Sequence, residues 1–170
     1  MTEVHSGRSA VLFDRDGVLN VDTGYLHRPQ EWVWIDGAPE TIASVKKRGQ
    51  LAIVVTNQSG IARGYYDETH LHALHAWVND DLEHRTGVRI DAFYHCPYLP
   101  DAPVAAFAHP DHPDRKPNPG MLLRAIADHG LDPASCLMIG DKDSDMQAAA
   151  AAGVTGKLFR GGDLSHMLRD

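Results

Sequence analysis

Asp14 and Asp16, separated by Arg15 and followed by Gly17, are the residues in this sequence best suited to chemistry. Set on a turn, the two carboxylates can share one site. One can attack a phosphorus atom and form an acyl phosphate, splitting a hard displacement into two easier steps. The other can protonate the leaving alkoxide and then deprotonate the attacking water. Gly17 permits the sharp turn this requires. Read alone, the run is equally a plain Asp-Gly turn at a strand end.

Three further polar clusters bear on that choice. Gly140-Asp141-Lys142-Asp143-Ser144-Asp145 places carboxylates at alternate positions. A calcium loop would need Gly and Glu where Met146 and Ala152 stand, so a magnesium site centred on Asp141 is the better reading. Asp143 or Ser144 can also serve simply as a helix N-cap. Thr56-Asn57-Gln58-Ser59-Gly60 offers hydroxyls, amides and backbone N–H groups that suit phosphate oxygens, with a polar turn as the plainer alternative. Arg115-Lys116 supplies a bidentate clamp and a point charge, or merely two solvated cations.

The elements that must position these residues alternate between short apolar runs and helical patterns, which implies βαβ units and a parallel sheet. Strands are expected at residues 9–13, 51–55, 92–95, 137–139 and 157–159. Helices are expected at 39–48, 67–85, 119–129 and 143–152. Asp67 can cap the second helix and Gly87 can end it. Residues 96–118 form a long loop with six prolines, a length unusual inside a compact domain. Three of the polar clusters follow strand ends, the edge at which open α/β sheets bind ligands. The expected architecture is therefore a Rossmann-like three-layer α/β sandwich in a single domain, residues 1–170.

Composition narrows the function classes. Apolar residues make up 43% of the chain and charged residues 23%, as in ordinary globular proteins. A formal charge of −7 without a Lys/Arg cluster argues against nucleic acid as partner. No apolar stretch is long enough for a membrane span, and residues 1–9 lack the apolar core of a signal peptide. Two cysteines cannot form a disulfide framework, so a reducing cytoplasm is the expected compartment. The 11 histidines are scattered and expected mostly at the surface. No helix shows a second apolar face, so a monomer is expected.

The order strand–Asp-x-Asp, strand–Thr, Lys-Pro, strand–Gly-Asp-x-x-x-Asp resembles the haloacid dehalogenase (HAD) superfamily of aspartate-nucleophile phosphatases. Within it, four stretches resemble the D-glycero-D-manno-heptose-1,7-bisphosphate 7-phosphatases and their histidinol-phosphate phosphatase relatives. These are Phe13-Asp14-Arg15-Asp16-Gly17-Val18-Leu19-Asn20, residues 56–64, Arg115-Lys116-Pro117-Asn118-Pro119-Gly120-Met121 and Gly140-Asp141-Lys142, joined by Gly24-Tyr25. The likeness spans residues 9–160. It implies Asp14 as nucleophile and Asp16 as general acid/base. It implies Mg²⁺ held by Asp14, the Asp16 backbone carbonyl and Asp141, and a phosphoryl group held by Thr56 and Lys116. Arg115, Lys142, the turn Asp22-Thr23-Gly24-Tyr25 and the loop Asn57-Gln58-Ser59 would bind a small sugar phosphate. The family works in ADP- or GDP-heptose synthesis for surface polysaccharide, and its small members lack a large cap domain, in keeping with the spacings here.

One departure concerns metal content. The family's zinc loop, of the form Cys-x-His … Cys-x-Cys, reads here Cys96-Pro97-Tyr98 and His112-Pro113-Asp114. A remade zinc site from Cys96, His109, His112 and Asp114 has competent ligand types. A metal-free loop stiffened by prolines is the favoured reading. Two functional alternatives stay open beside a heptose-bisphosphate phosphatase: the same chemistry on histidinol phosphate or another small monoester, and a catalytically silent phosphate-binding domain.

Overall fold

The computed structural model describes residues 7–169; residues 1–6 of the polar N-terminal stretch lie outside the described residues. Five strands form one parallel sheet: β1 (Ala10–Phe13), β2 (Leu51–Asn57), β3 (Ala92–Cys96), β4 (Leu137–Gly140) and β5 (Thr155–Leu158), in the order β3-β2-β1-β4-β5. Continuous apolar runs suit strands buried on both faces. Val11, Phe13, Ala52 and Val54 point into one core, with Ile42 and Val45 of α1 (Ala38–Lys47) and Leu74, Val78 and Leu82 of α2 (Glu68–Thr86). The alternate residues Ala10, Leu12, Ile53 and Val55 point into the other, with Met121, Leu122 and Ala125 of α3 (Gly120–His129) and Ala148 and Ala149 of α4 (Asp143–Ala151). The result is the three-layer sandwich expected from the sequence.

Strand order decides where a ligand can sit. The chain moves outward from β1 to β2 and β3, then returns to β4 on the other side of β1. The C-terminal ends of β1 and β4 therefore flank the point where the connections diverge, the usual ligand crevice of an open α/β sheet. Between β1 and β2 lie only α1 and a 3-10 turn (Pro29–Glu31), and between β2 and β3 only α2, so no cap domain is inserted at either point.

α2 starts and stops as expected: the Asp67 side chain accepts from His70 N at 2.9 Å, and Gly87 ends the helix at φ +78°. Other boundaries differ for identifiable reasons. β2 runs on through Thr56 and Asn57, which pair with His95 and Cys96 of β3. β5 begins at Thr155, in register with Leu137, although Thr-Gly carries no apolar signal. Gly156 sits where a Cβ would press on Met146 Sδ of α4 at 2.8 Å. The 3-10 turn Leu164–Leu168 buries Leu164 in the α1 core and was not expected from the sequence. At the start of α4 neither Asp143 nor Ser144 supplies the cap. Asp145 does, accepting from the backbone N–H groups of Asp141 and Lys142 at 3.1 Å each.

Candidate active site

Asp14 follows β1 directly, and its amide donates to Ile139 O of β4 at 3.0 Å, which locks it into the crevice. The residue is 6% exposed, and its Oδ1 accepts from Lys116 Nζ at 2.9 Å. The same ammonium donates to Asp145 Oδ1 at 2.7 Å and to Val55 O at 2.9 Å. All three Lys116 protons are thus taken by oxygens, and the buried cation joins the end of β1, the body of β2 and the first turn of α4. Burial pushes the Asp14 carboxyl up to about 7; Lys116 opposes that shift, while Asp145 and Asp141 add to it. Burial pulls against the Lys116 ammonium, but Asp14 and Asp145 more than offset it and its pKa is raised.

Asp16 is held on every side by donors. Arg15 Nε and Nη2 donate to its Oδ1 at 3.2 and 2.8 Å, Asn20 Nδ2 to the same oxygen at 2.9 Å, and Gln58 Nε2 to Oδ2 at 3.0 Å. Arg15 is itself fully buried. Its Nη2 also donates to Leu26 O at 2.8 Å, and its Nη1 lies 3.3 Å from His75 Nε2. Arginine is always charged, so His75 must face it as a neutral acceptor. Burial first, then Arg15, holds the His75 imidazole well below its ordinary 6.5. Gln58 is fixed in turn by the Tyr66 hydroxyl, which donates to its Oε1, and burial pushes that phenol up to about 12.

A cavity of about 450 Å³ opens above these groups. Among its walls are Asp22, Gly24 and Tyr25 on one side, Asn57, Gln58 and Ser59 on another, and Arg115 and Lys142 opposite. A smaller notch of about 40 Å³ connects its floor to Asp14. At about 10–15 Å³ per water-sized group, the notch has room for roughly three atoms, the scale of a phosphoryl group's oxygens. The outer volume is that of a small polar ligand site.

Most residues singled out in the sequence do come together. Thr23 and Thr56 are not in the cavity wall. Thr23 is exposed on the turn, and the buried Thr56 hydroxyl accepts from Gln58 Nε2 at 2.9 Å. Asn57 does more than line the wall: its side chain donates to Lys116 O and accepts from Lys116 N, both at 3.1 Å, clamping the loop that carries the lysine. Arg115 Nη1 donates to Tyr98 O at 3.2 Å. Arg15, Asn20, Tyr66, His75 and Asp145 were not singled out. Arg15 and Asn20, inside the stretch 13–20, Asp145, by its place in the Gly-Asp-x-x-x-Asp run, and His75, on the apolar stripe of α2 between Leu71 and Val78, left a trace in the sequence; Tyr66 left none.

The arrangement suits a divalent cation. One ligand oxygen from each of Asp14, Asp141 and Asp145 lies within 4.8 Å of the others. Asp141 Oδ1 is buried without a hydrogen-bond partner, the mark of an atom meant for another ligand. Gly17, at φ +85°, leaves room that a Cβ would take from the Asp141 side chain. Four carboxylates, Asp14, Asp16, Asp141 and Asp145, face two buried cations, Arg15 and Lys116, an excess of two negative charges. An all-oxygen set with this charge matches magnesium.

The zinc ligand set weighed from the sequence, against a favoured metal-free loop, is spread out. Among the described residues, Cys96, His109, His112 and Asp114 do not form a converging ligand group. The His112 ring stacks on Tyr98 at 3.9 Å between centroids, and its Nδ1 accepts from Asp114 N at 3.0 Å; His109 Nδ1 accepts from Asp111 N at 3.1 Å. The loop is held instead by these contacts, by Asn57 and by Asn118, whose amide donates to Asp111 and His112 O.

Residues 114–167 match a HAD-hydrolase-like family model. The chain is 41% identical over 153 residues to the D-glycero-beta-D-manno-heptose-1,7-bisphosphate 7-phosphatase of Haemophilus ducreyi, covering 90% of this chain and 83% of that protein. This chain belongs to the heptose-bisphosphate 7-phosphatase family of HAD-like hydrolases. Another member, the D-glycero-alpha-D-manno-heptose-1,7-bisphosphate 7-phosphatase of Burkholderia mallei, is 43% identical, with 85% of this chain and 76% of that one covered. Among solved structures in the family, the D,D-heptose 1,7-bisphosphate phosphatase of B. bronchiseptica, complexed with magnesium and phosphate, superposes with a TM-score of 0.78. It is 32% identical, with 94% of this chain and 84% of that chain covered.

Proposed function

We propose that this protein hydrolyses the 7-phosphate of a D-glycero-D-manno-heptose 1,7-bisphosphate, with Mg²⁺, through an aspartyl phosphate on Asp14. The observation that carries this reading is Asp14 at the floor of the narrow notch, with Lys116 on its Oδ1 and a cavity of sugar-phosphate size above. Family membership supports the substrate class. Asp14, Asp141 and the Asp16 backbone carbonyl would hold the metal, since the Asp16 side chain is engaged elsewhere. When bound, Mg²⁺ supplies charge stabilisation to the transferring phosphoryl oxygens.

The rest follows from the chain's own groups. The free Asp14 oxygen attacks phosphorus, and the bond from phosphorus to the sugar oxygen breaks. Asp16 gives that oxygen a proton. Its Oδ2 has one donor where Oδ1 has three, so Oδ2 is the oxygen left to carry it. Water then attacks the phosphorus of the acyl phosphate and Asp16 Oδ2 takes its proton; the bond from phosphorus to the Asp14 oxygen breaks, so the Asp14 carboxylate is restored and inorganic phosphate leaves. Lys116 keeps a positive charge against Asp14 throughout, and phosphoryl transfer depends mainly on such positioning and electrostatics. Arg115, Lys142 and the Asp22–Tyr25 turn would grip the remainder of the substrate. The reading places the enzyme in nucleotide-heptose synthesis in the cytoplasm, acting as a monomer. Among the described residues no helix is long and apolar enough to cross a membrane.

Phosphate release from heptose 1,7-bisphosphate and from histidinol phosphate, each with Mg²⁺, tests the proposal. Faster turnover of the heptose substrate is expected, with no release after chelation or in Asp14→Asn. Preference for histidinol phosphate would overturn the substrate, and an active Asp14→Asn would overturn the nucleophile.

A further inference from the structure

Three side chains with metal-ligating atoms converge outside the cavity, between α2 and the edge strand β3. Glu68 opens α2, and His72 lies four residues on, on the same helix face. His95 is the penultimate residue of β3. One ligand atom from each lies within 4.8 Å of the other two. His95 Nε2 and Glu68 Oε2 are 2.6 Å apart, and the His72 and His95 rings meet edge to face with centroids 5.6 Å apart. A histidine–glutamate hydrogen bond accounts for two of these residues. It does not account for the third ligand brought to the same point.

We propose that Glu68, His72 and His95 form a Zn²⁺ site, separate from the oxygen-only site at Asp14 and Asp141. Two imidazoles and a carboxylate suit zinc, whereas magnesium prefers oxygen alone. Zinc bonds of about 2.0–2.1 Å in a tetrahedron put neighbouring ligand atoms about 3.3 Å apart. The Glu68–His95 pair, at 2.6 Å, must open slightly to reach that spacing. His95 is the fixed member, with a side chain only 16% exposed, while Glu68, at 42%, and the exposed His72 have room to adjust. Each imidazole binds as the neutral ring with its proton on the other nitrogen, Glu68 binds as the carboxylate, and water takes the fourth position.

The site would act as a clamp on one wall of the cavity. His95 pairs in register with Thr56 at the tip of β2. Glu68 follows Tyr66 by two residues, and Tyr66 holds Gln58, which holds Asp16. A cation joining Glu68 and His72 to His95 ties the first turn of α2 to the sheet just behind that relay.

The full chain, saturated with Mg²⁺, is titrated with ZnCl₂ by calorimetry, and its melting temperature is followed in parallel. One Zn²⁺ per chain and a higher melting temperature are expected. His72→Ala, on an exposed helix position, and Glu68→Gln should each weaken binding by at least about tenfold. Asp141→Asn and Cys96→Ser should leave it intact, which separates this site from the acidic centre and from the 96–118 loop. The proposal is overturned if Mg²⁺-saturated protein takes up no Zn²⁺ at large molar excess. It is equally overturned if His72→Ala binds as wild type, or if Cys96→Ser abolishes binding.

Discussion

Acidification should destabilise this protein through His75, and by an amount that follows from its surroundings. The residue is 5% exposed, its ring stacked on Phe93 at 4.3 Å, with Nε2 against the permanently charged Arg15. A proton on Nε2 would put two cations 3.3 Å apart in a buried site, so the folded protein keeps the ring neutral. Unfolded, the same histidine titrates near 6.5. Because the folded pKa is depressed, the stability linked to this group is present in full above 6.5 and lost as pH falls from there towards the folded value. Between about pH 7.5 and pH 5.5 the unfolded state gains one proton that the folded state does not, a loss of about 1.4 kcal/mol. Denaturant unfolding at the two pH values measures it. His75→Gln keeps an acceptor for Arg15 but cannot titrate, so its stability should fall by about 1.4 kcal/mol less than wild type over this interval. The other histidines cancel in that comparison. Equal losses in the two proteins would refute the neutral-acceptor assignment. A loss larger in the variant would mean that His75 carries its proton in the folded state.

Three other substitutions probe the relays around the site. Asp145→Asn leaves Lys116 with one carboxylate and puts an amide against the Asp141 and Lys142 N–H groups; a loss of about 3–5 kcal/mol is expected, read by denaturant unfolding. Tyr66→Phe frees Gln58 from its only tyrosine donor and should lower kcat about five- to tenfold, the equivalent of roughly 1 kcal/mol, with KM unchanged in steady-state assays. Gly17→Ala must place a Cβ in the left-handed region and into the Asp141 side chain. It should weaken Mg²⁺ binding at least about tenfold by calorimetry while a folded spectrum persists.

The apolar runs at residues 10–13 and 51–55 were enough to announce buried parallel strands, and the polar residues just after them announced the edge that carries chemistry. Local periodicity and turn chemistry act along the chain, so α2, with its Asp67 cap and Gly87 stop, was legible almost to the residue. β5 and the Leu164–Leu168 turn were not, because Thr-Gly and a short C-terminal apolar run gain their place only from β4 and α1.

The site divides in the same way. The sequence by itself determined which residue types are available: the Asp14–Asp16 pair, the 56–60 loop, Arg115-Lys116 and Asp141. Tertiary structure alone decided what each one touches. It spent all three Lys116 protons on Asp14, Asp145 and Val55 O, turned the Thr56 hydroxyl to Gln58, made Asn57 the clamp for Lys116, and enlisted Arg15, Tyr66 and His75 to hold Asp16. It also set a Tyr98–His112 stack in the loop of residues 96–118, a contact between ring partners that the sequence had not paired. These contacts join residues up to 102 positions apart. Burial and electrostatics across such distances depend on which strands become neighbours, and that is settled only when the sheet closes in the order β3-β2-β1-β4-β5.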